Sequence, residues 1–398
     1  MGIERPGGVR YFHIARELVR LGYSVRILAL HPDLPNCPRR RYVQDGVEIW
    51  YVGQMHARKS GTVPVRFNAL QLLRVLIGST LGMIWGILCS PADLYHLGKP
   101  QPVNGLAAIL ALTLRGRRFY VDCDDDEVRS NRLTAEWQRQ VFGFWERLLP
   151  RLAAGVTVDS SFIADRLRRG GVQTMAYVPN GADLDRLRRL QPQVLAALRE
   201  SLGLINRRVI AYAGTLALHN HPVDLLLDAF GQLAADFPDL ALLFIGGGED
   251  LPELKRRARD MGLADRVYFT GQLPHESVHS FLALADLSVD PVHDDDVARA
   301  RSPLKIFESM AVGVPIVTGD VGDRRALLAD GAGVVTAPGD ATALAETIRG
   351  LLDDPTWLRS AAEAAQTAAR HYDWREIARR WLKVYAVPAL SNNEALKQ

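Results

Sequence analysis

Two successive series of alternating strand and helix patterns constrain this chain more than anything else in it. From Arg208 onward the apolar runs RVIAYAG, ALLFIGGG, RVYFTG, LSVDPV, PIVTGD and GVVTAP are separated by helical stretches, among them VDLLLDAFGQLAADF, LPELKRRARDMG, ESVHSFLALA and PLKIFESMAVG. The same alternation precedes it, with SVRILAL, ADLYHL, RFYVDC, GVTVDS and MAYVP as strands. Strands that alternate with helices imply parallel sheets covered on both faces. The fold class is therefore α/β, and 398 residues are too many for one core, which predicts two similar Rossmann-like halves.

The first half opens unusually. GIERPGGVRYFHIARELVRLG reads as a Gly-rich turn entering a helix, with Ile14, Leu18, Val19 and Leu21 on one face. A Rossmann-like half normally places a strand before that turn, and a first strand lost through a misplaced start is the expectation. Asn180-Gly181 is a turn dipeptide, and the polar stretch at 191–206 reads as the connection between halves. The expected domains are 1–190, completed by a C-terminal helix at 372–390, and 205–371.

A formal net charge of +3 is too small to point to nucleic acid. Cys37, Cys89 and Cys123 form no CxxC pair, which suits a reducing, cytoplasmic setting. The opening residues show no secretory-signal pattern. The uncharged run VLIGSTLGMIWGILCSPA, residues 75–92, is short for a membrane span and carries three glycines and a proline. It reads as a buried or membrane-facing helix. Arg58, Lys59, Arg66 and Arg74 would suit contact with anionic lipid at the inner face of a membrane, or are simply solvated.

The segment RSPLKIFESMAVGVPIV, residues 301–317, carries most of the chemistry. Ser302 is a good N-cap, Pro303 suits the first helical position with Leu304 after it, and Gly313 suits the stop. Lys305 stands near the anion-seeking end of that helix, and Glu308 follows three residues later on the same face. Taken alone, the pattern also fits a surface Glu–Lys pair on a capped helix.

This segment resembles the donor-binding signature of the family-4 glycosyltransferases, Glu-x7-Glu followed by a small-residue turn and a Val-rich strand. Glu308 with MAVGVPIV matches the second Glu, and Ala300 stands where the first would fall. A variant form, Ser-Pro-x-Lys-x-x-Glu, matches Ser302, Pro303, Lys305 and Glu308. RPGGVRYFHIARELVRLGYSV resembles the family's N-terminal Gly-Gly loop and first helix, and YVPNGADLDRL its Pro-Asn-Gly-Val-Asp turn. The stretch FIGGGEDLPELKRRARDMGLADRVYFTGQLPHESVHSFLALADLSVDP resembles its central region, and HYDWREIARRWLKVY its closing helix.

The resemblance implies the GT-B architecture, an acceptor domain and a donor-binding domain facing across a cleft. It implies retaining transfer from a nucleotide-diphosphate sugar to a glycan, lipid-linked or small-molecule acceptor, without a metal. By the same resemblance Glu308 would take the donor ribose. Lys305 and Arg301 would take phosphate charge, and Gly7, Gly8, Gly214, Thr215, Gly246, Gly247, Gly248 and Leu304 would lie along the donor. YAGTLALHNHPVDLLLDAF departs from the family pattern. Thr215 occupies the place of an Arg, and His219, Asn220 or His221 that of a Lys.

His96 ends a strand, where the family often has a His near the transferred sugar; a satisfied buried residue is the other reading. YVDCDDDEVRSN packs Asp122, Asp124, Asp125, Asp126 and Glu127 at another strand end. Such a run can bind a cation through oxygen ligands, contact a sugar hydroxyl through Asp124 or Asp125, or cap a helix. Two further functions compete with a transferase: a non-catalytic nucleotide-sugar binder or scaffold, and a GT-B sugar-nucleotide epimerase.

Overall fold

Six short runs of Val, Ile, Leu and Phe in the second half form one parallel sheet. They are β8 (Arg208–Ala213), β9 (Leu240–Ile245), β10 (Val267–Phe269), β11 (Leu287–Asp290), β12 (Ile316–Gly319) and β13 (Gly333–Thr336). Their order across the sheet is β10-β9-β8-β11-β12-β13. Numbered within this half that is 3-2-1-4-5-6, the doubly wound order, whose topological switch lies between β8 and β11. Strands β9, β11 and β12 are buried along their whole length, as a sheet covered on both faces requires. Tyr212, Phe230, Leu242 and Phe244 centre the core on one face, and Leu204, Val209, Ala211 and Leu243 that on the other.

The computed structural model describes residues 6–385 apart from 57, 61–62, 66, 132, 134 and 188–189. It divides the chain into two units, Met1–Pro179 with Trp374–Gln398, and Asn180–Asp373. The boundary thus precedes the one expected at 190. Asn180 is clasped within the second unit, and the helix Pro192–Ser201, expected as connection, packs Leu195 and Leu198 on the second unit's core.

The first unit begins with α1 (Pro6–Arg20), so Gly7 and Gly8 lie in the first turn of a helix and not in a preceding loop. Residues before Pro6 lie outside the described residues. Next come β1 (Arg26–His31), β2 (Arg41–Gln44), β3 (Val47–Gln54), α2 (Ala69–Leu88), β4 (His96–Gly98) and α3 (Pro102–Leu114). After these follow β5 (Tyr120–Cys123), α4 (Glu136–Leu152), β6 (Val156–Val158) and β7 (Met175–Tyr177). Among the described residues no strand precedes α1, and these strands form two sheets, β1-β3-β2 and the all-parallel β4-β5-β6-β7.

One face of the three-stranded sheet packs Ala29, Val47, Ile49 and Tyr51 against Phe12 and Ala15 of α1. A second cluster joins Met83 and Ile87 of α2 and Ala107, Ala111 and Leu112 of α3, with Leu28, Val52 and Leu97 from both sheets. The helix Trp374–Leu382 closes this unit, stacking Trp374 on His13 of α1 at 5.2 Å between ring centroids.

Candidate active site

Open α/β sheets bind ligands beyond the carboxyl ends of the strands at the topological switch. In the second unit those ends belong to β8 and β11. Strand β11 ends on Asp290, which is buried and accepts from two cations. Lys305 Nζ lies 3.0 Å from Asp290 Oδ1, and Arg324 Nε 3.0 Å from Oδ2. Lys305 also sits over the ring of Tyr212 from β8, 4.1 Å from its centroid. One lysine thereby bridges the two strands that flank the switch.

Burial alone would raise the Asp290 carboxyl, but Lys305 and Arg324 outweigh it and hold it well below the usual carboxylate range. Burial likewise works against the Lys305 ammonium, and Asp290 more than restores it. Two cations share one carboxylate, so the cluster keeps a net positive charge at the switch.

Lys305 belongs to α6 (Leu304–Val312), which Gly313 stops in a left-handed conformation at φ 73°. The expected cap is different. Pro303 takes the N-cap position and Leu304 opens the helix, while Ser302 makes no cap bond. Instead the Ser302 hydroxyl accepts the Asn180 N–H at 2.9 Å, and its carbonyl accepts Asn180 Nδ2 at 2.6 Å. The Asn180-Gly181 turn is therefore locked onto the loop that precedes α6. Pro303, having no N–H, leaves that helix end nothing to cap at its own position.

The glycines have a structural reason of their own. An added Cβ on Gly246 would lie 2.1 Å from the Gly214 carbonyl oxygen, and one on Gly248 would lie 2.0 Å from that of Leu216. The loops after β8 and β9 are bonded together by Gly214 N–H to Ile245 O, Leu216 N–H to Gly247 O and Leu218 N–H to Asp250 Oδ2. Gly247 is less tight, since an added Cβ there would lie 3.0 Å from the Gln272 nitrogen. Thr215 offers its carbonyl to the Tyr212 hydroxyl at 3.1 Å. We expect Gly246→Ala, which also strains a φ of 131°, to lower the unfolding free energy by about 2–3 kcal/mol. Urea denaturation checks this, and an unchanged midpoint would mean that the two loops are free to separate.

The positions expected to replace the family's second cation behave differently from one another. His219 pairs with Glu249, Nδ1 to Oε1 at 3.2 Å. The Asn220 carbonyl accepts from Arg301 at 3.1 Å, which ties Arg301 to this loop. Burial, with Lys305 and Arg301 nearby, pushes the His221 imidazole down to about 3, so it is neutral.

Glu308 lies one turn beyond Lys305 and is buried. Its Oε1 stands 3.6 Å from His275 Nε2 and 3.7 Å from His279 Nε2, both on α5 (His275–Leu282). Neither histidine was singled out in the sequence, although their i, i+4 spacing places both rings on one helix face. Burial pushes the Glu308 carboxyl up to about 7, against the pull of Lys305. A carboxyl raised on folding stabilises the protein below its unfolded pKa and loses that contribution as pH rises through the folded one. Relative to Glu308→Gln, the wild-type unfolding free energy should fall by about 3 kcal/mol between pH 4 and pH 8. Parallel pH profiles for the two proteins would contradict this.

His96 is not free to meet a sugar. Its Nδ1 bonds the Tyr385 hydroxyl at 2.9 Å and its Nε2 the Thr157 hydroxyl at 3.3 Å, with Trp381 against the ring at 4.2 Å. Burial, helped by Arg10, holds this imidazole down at about 3. It is a neutral packing residue of the first unit.

The acidic run is likewise engaged. Lys99 Nζ lies 3.0 Å from Asp124 and from Glu127 and 3.6 Å from Asp125, and the Asp124 carboxylate also accepts the Tyr11 hydroxyl at 3.2 Å. Asp126 caps the short helix after it through the Arg129 N–H and pairs with Arg166. Asp122 accepts from Nε and Nη2 of the buried Arg10. A resident lysine thus fills the place that a cation would take. Among the described residues, side chains with metal-binding geometry gather elsewhere, at His219, Glu249 and Asp250.

Two family descriptions match the chain in succession. The glycosyl transferase 4-like domain matches residues 7–181, and "glycosyl transferases group 1" matches residues 207–354. The chain is built from two glycosyltransferase domains. This glycosyltransferase is 27% identical over 397 residues to a phosphatidyl-myo-inositol mannosyltransferase of Mycobacterium leprae, covering 98% of this chain and 95% of that one. It is 34% identical over 206 residues to a GDP-mannose-dependent alpha-(1-6)-phosphatidylinositol monomannoside mannosyltransferase of Mycolicibacterium smegmatis. That match spans about half of each protein, 51% of this chain and 52% of the relative. An alpha-D-kanosaminyltransferase of Streptomyces kanamyceticus is 30% identical over 231 residues, again about half of each chain, at 55% and 56%.

Solved structures agree on the fold. A sucrose-phosphate synthase from Thermosynechococcus elongatus superimposes with a TM-score of 0.74 at 21% identity, covering 96% of this chain and 93% of that one. The Anabaena protein HepE, solved with UDP and glucose, superimposes with a TM-score of 0.72 at 18% identity, covering 98% of each chain. The glycosyltransferase thus has the two-domain α/β GT-B fold.

Proposed function

We propose that this glycosyltransferase moves a hexosyl group from a nucleoside-diphosphate sugar to a lipid-linked or glycan acceptor with retention at the anomeric carbon. The observation that carries the reading is Lys305. It is a largely enclosed cation at the topological switch, its side chain 12% exposed, one helical turn from a buried carboxylate on the same helix. In this reading the donor diphosphate meets Lys305, Arg301 and the free N–H groups at the start of α6. Glu308 accepts the ribose hydroxyls. Several relatives act on phosphatidylinositol-based lipids by name, which favours a lipid-borne acceptor and work at the cytoplasmic membrane surface.

The chemistry then needs no protein nucleophile. The bond from the anomeric carbon to the phosphate oxygen breaks with its electron pair going to the diphosphate. The acceptor oxygen forms the new bond on the same face, and its proton passes to the departing phosphate oxygen. Lys305 stabilises charge as it develops on the leaving group, which is where preorganised electrostatics contributes most. The Ser-Pro-x-Lys-x-x-Glu form of the segment fits this division of labour.

Donor hydrolysis across a panel of UDP-, GDP- and dTDP-sugars tests the reading. Turnover of one donor, lost in Glu308→Ala, supports it. Nucleotide-sugar binding without turnover of any donor would instead favour a non-catalytic binder.

A further inference from the structure

The outer surface of the first unit runs against the usual distribution of side-chain size. Helix α2 packs on β3 through small residues. A Cβ on Gly82 would lie 2.1 Å from the Val52 carbonyl oxygen, and the Ser79 hydroxyl bonds the Gln54 carbonyl. Beyond the buried Met83 and Ile87, a full stripe of large apolar side chains points the other way. Leu70, Leu73, Ile77, Leu81 and Trp85, spaced three or four residues apart, are 53–64% exposed. Neighbouring α3 repeats the pattern, burying Gly105, Ala107, Ala108 and Ala111 while Leu106, Leu110 and Leu114 are exposed. A helix in water does the reverse, with its apolar stripe toward the core.

The two stripes form one surface. Helices α2 and α3 pack along each other, and Arg115, just past the end of α3, donates to the Leu88 carbonyl at the end of α2. Trp85 stands in the last turn of α2, Leu114 ends α3, and the exposed Arg117 and Arg118 follow within four residues of that end. Neither helix contains an acidic residue, and Arg74 is exposed on α2. The side chains of Arg58, Lys59 and Arg66 lie outside the described residues. By length and composition α2 could cross a membrane, with 22% of its apolar window buried. Its glycine contacts make it a layer of the sheet instead, so the surface suits lying on a bilayer rather than spanning it.

We propose that the α2–α3 face docks on an anionic lipid bilayer, with the leucines of both helices among the acyl chains and Trp85, Arg117 and Arg118 at headgroup level. This deepens the lipid-acceptor reading above but does not depend on the chemistry, since docking requires neither donor nor acceptor. A second copy of the chain is the rival occupant. Two such faces would bring the basic edges of both copies into one interface, whereas anionic headgroups neutralise them.

The test is sedimentation of the full chain with vesicles of phosphatidylcholine alone and with added phosphatidylglycerol, in the absence of nucleotide. The expected results are binding that increases with phosphatidylglycerol, weakens in high salt, and falls at least tenfold in the triple variant Ile77→Ser, Leu81→Ser, Trp85→Ser. These exposed positions leave the thermal midpoint and the hydrolysis of soluble donor unchanged. Absence of vesicle binding by the wild type, or equal binding by the folded triple variant, overturns the proposal. So does a dimer in analytical ultracentrifugation that the same variant dissociates while vesicles bind neither protein. Loss of donor hydrolysis in every preparation with vesicle binding intact would instead count against the transferase reading.

Discussion

Lys305→Met should lower kcat for donor turnover by about 100- to 1000-fold, the usual loss when one preorganised donor to a developing anion is removed. The substitution keeps an apolar stem over the Tyr212 ring and deletes the charge that lies 4.1 Å from its centroid. Asp290 does not become an orphaned buried carboxylate, because Arg324 remains 3.0 Å away. The fold should therefore survive with a thermal midpoint close to that of the wild type. Because the lost interaction grows as the leaving group departs, kcat should fall more than donor affinity. Steady-state kinetics with the preferred donor checks this, and a kcat within threefold of wild type would remove Lys305 from the mechanism.

Arg10→Met should destabilise the first unit by about 3–5 kcal/mol, the cost of leaving a buried charge without its partner. The guanidinium is buried and bonds Asp122 through two nitrogens, the Val178 carbonyl at 2.7 Å and the Pro179 carbonyl at 3.1 Å. It also lies 5.6 Å from the Trp381 ring of the closing helix. One side chain thus holds together α1, the end of β5, the segment after β7 and the C-terminal helix. Arg10→Lys should recover little, since a single ammonium cannot reproduce the planar fork. Arg10→Met combined with Asp122→Leu should recover much of the loss by removing the stranded carboxylate. Denaturant melts of the three variants check the ordering. A double variant as unstable as Arg10→Met would show that the burial of Asp122 is not the cause.

The sequence made the architecture legible because its signals are periodic. Alternating apolar runs and amphipathic stretches located every strand of the six-stranded sheet, and the resemblance of the 301–317 segment pointed to the helix that carries Lys305 and Glu308. Partners across the fold stayed hidden. Nothing in ADLYHLGKP says that His96 will be closed in by Tyr385 and Trp381, which lie 289 and 285 positions further along the chain. The acidic run looked like a metal or sugar site because its counterion, Lys99, sits on a different strand end, at the left-handed φ of 74°. Ser302 is good at capping helices, yet Asn180, 122 positions away, claims it. The glycines at 246–248 suggested close approach to a ligand, and the approach that requires Gly246 and Gly248 is to the neighbouring loop. The inverted size pattern of α2 and α3 needed coordinates as well, since an apolar run gives no indication of which side packs.

The central claim places a nucleoside diphosphate at α6 with its ribose on Glu308. Titration calorimetry of UDP and GDP beside their 2′,3′-dideoxy counterparts, on wild type and Glu308→Ala, tests it most directly. For the base that binds, the wild type should prefer the ribonucleotide by about 10- to 100-fold, the value of hydrogen bonds to a charged group, and Glu308→Ala should bind the two forms equally. A ribose preference that persists undiminished in Glu308→Ala would contradict the account.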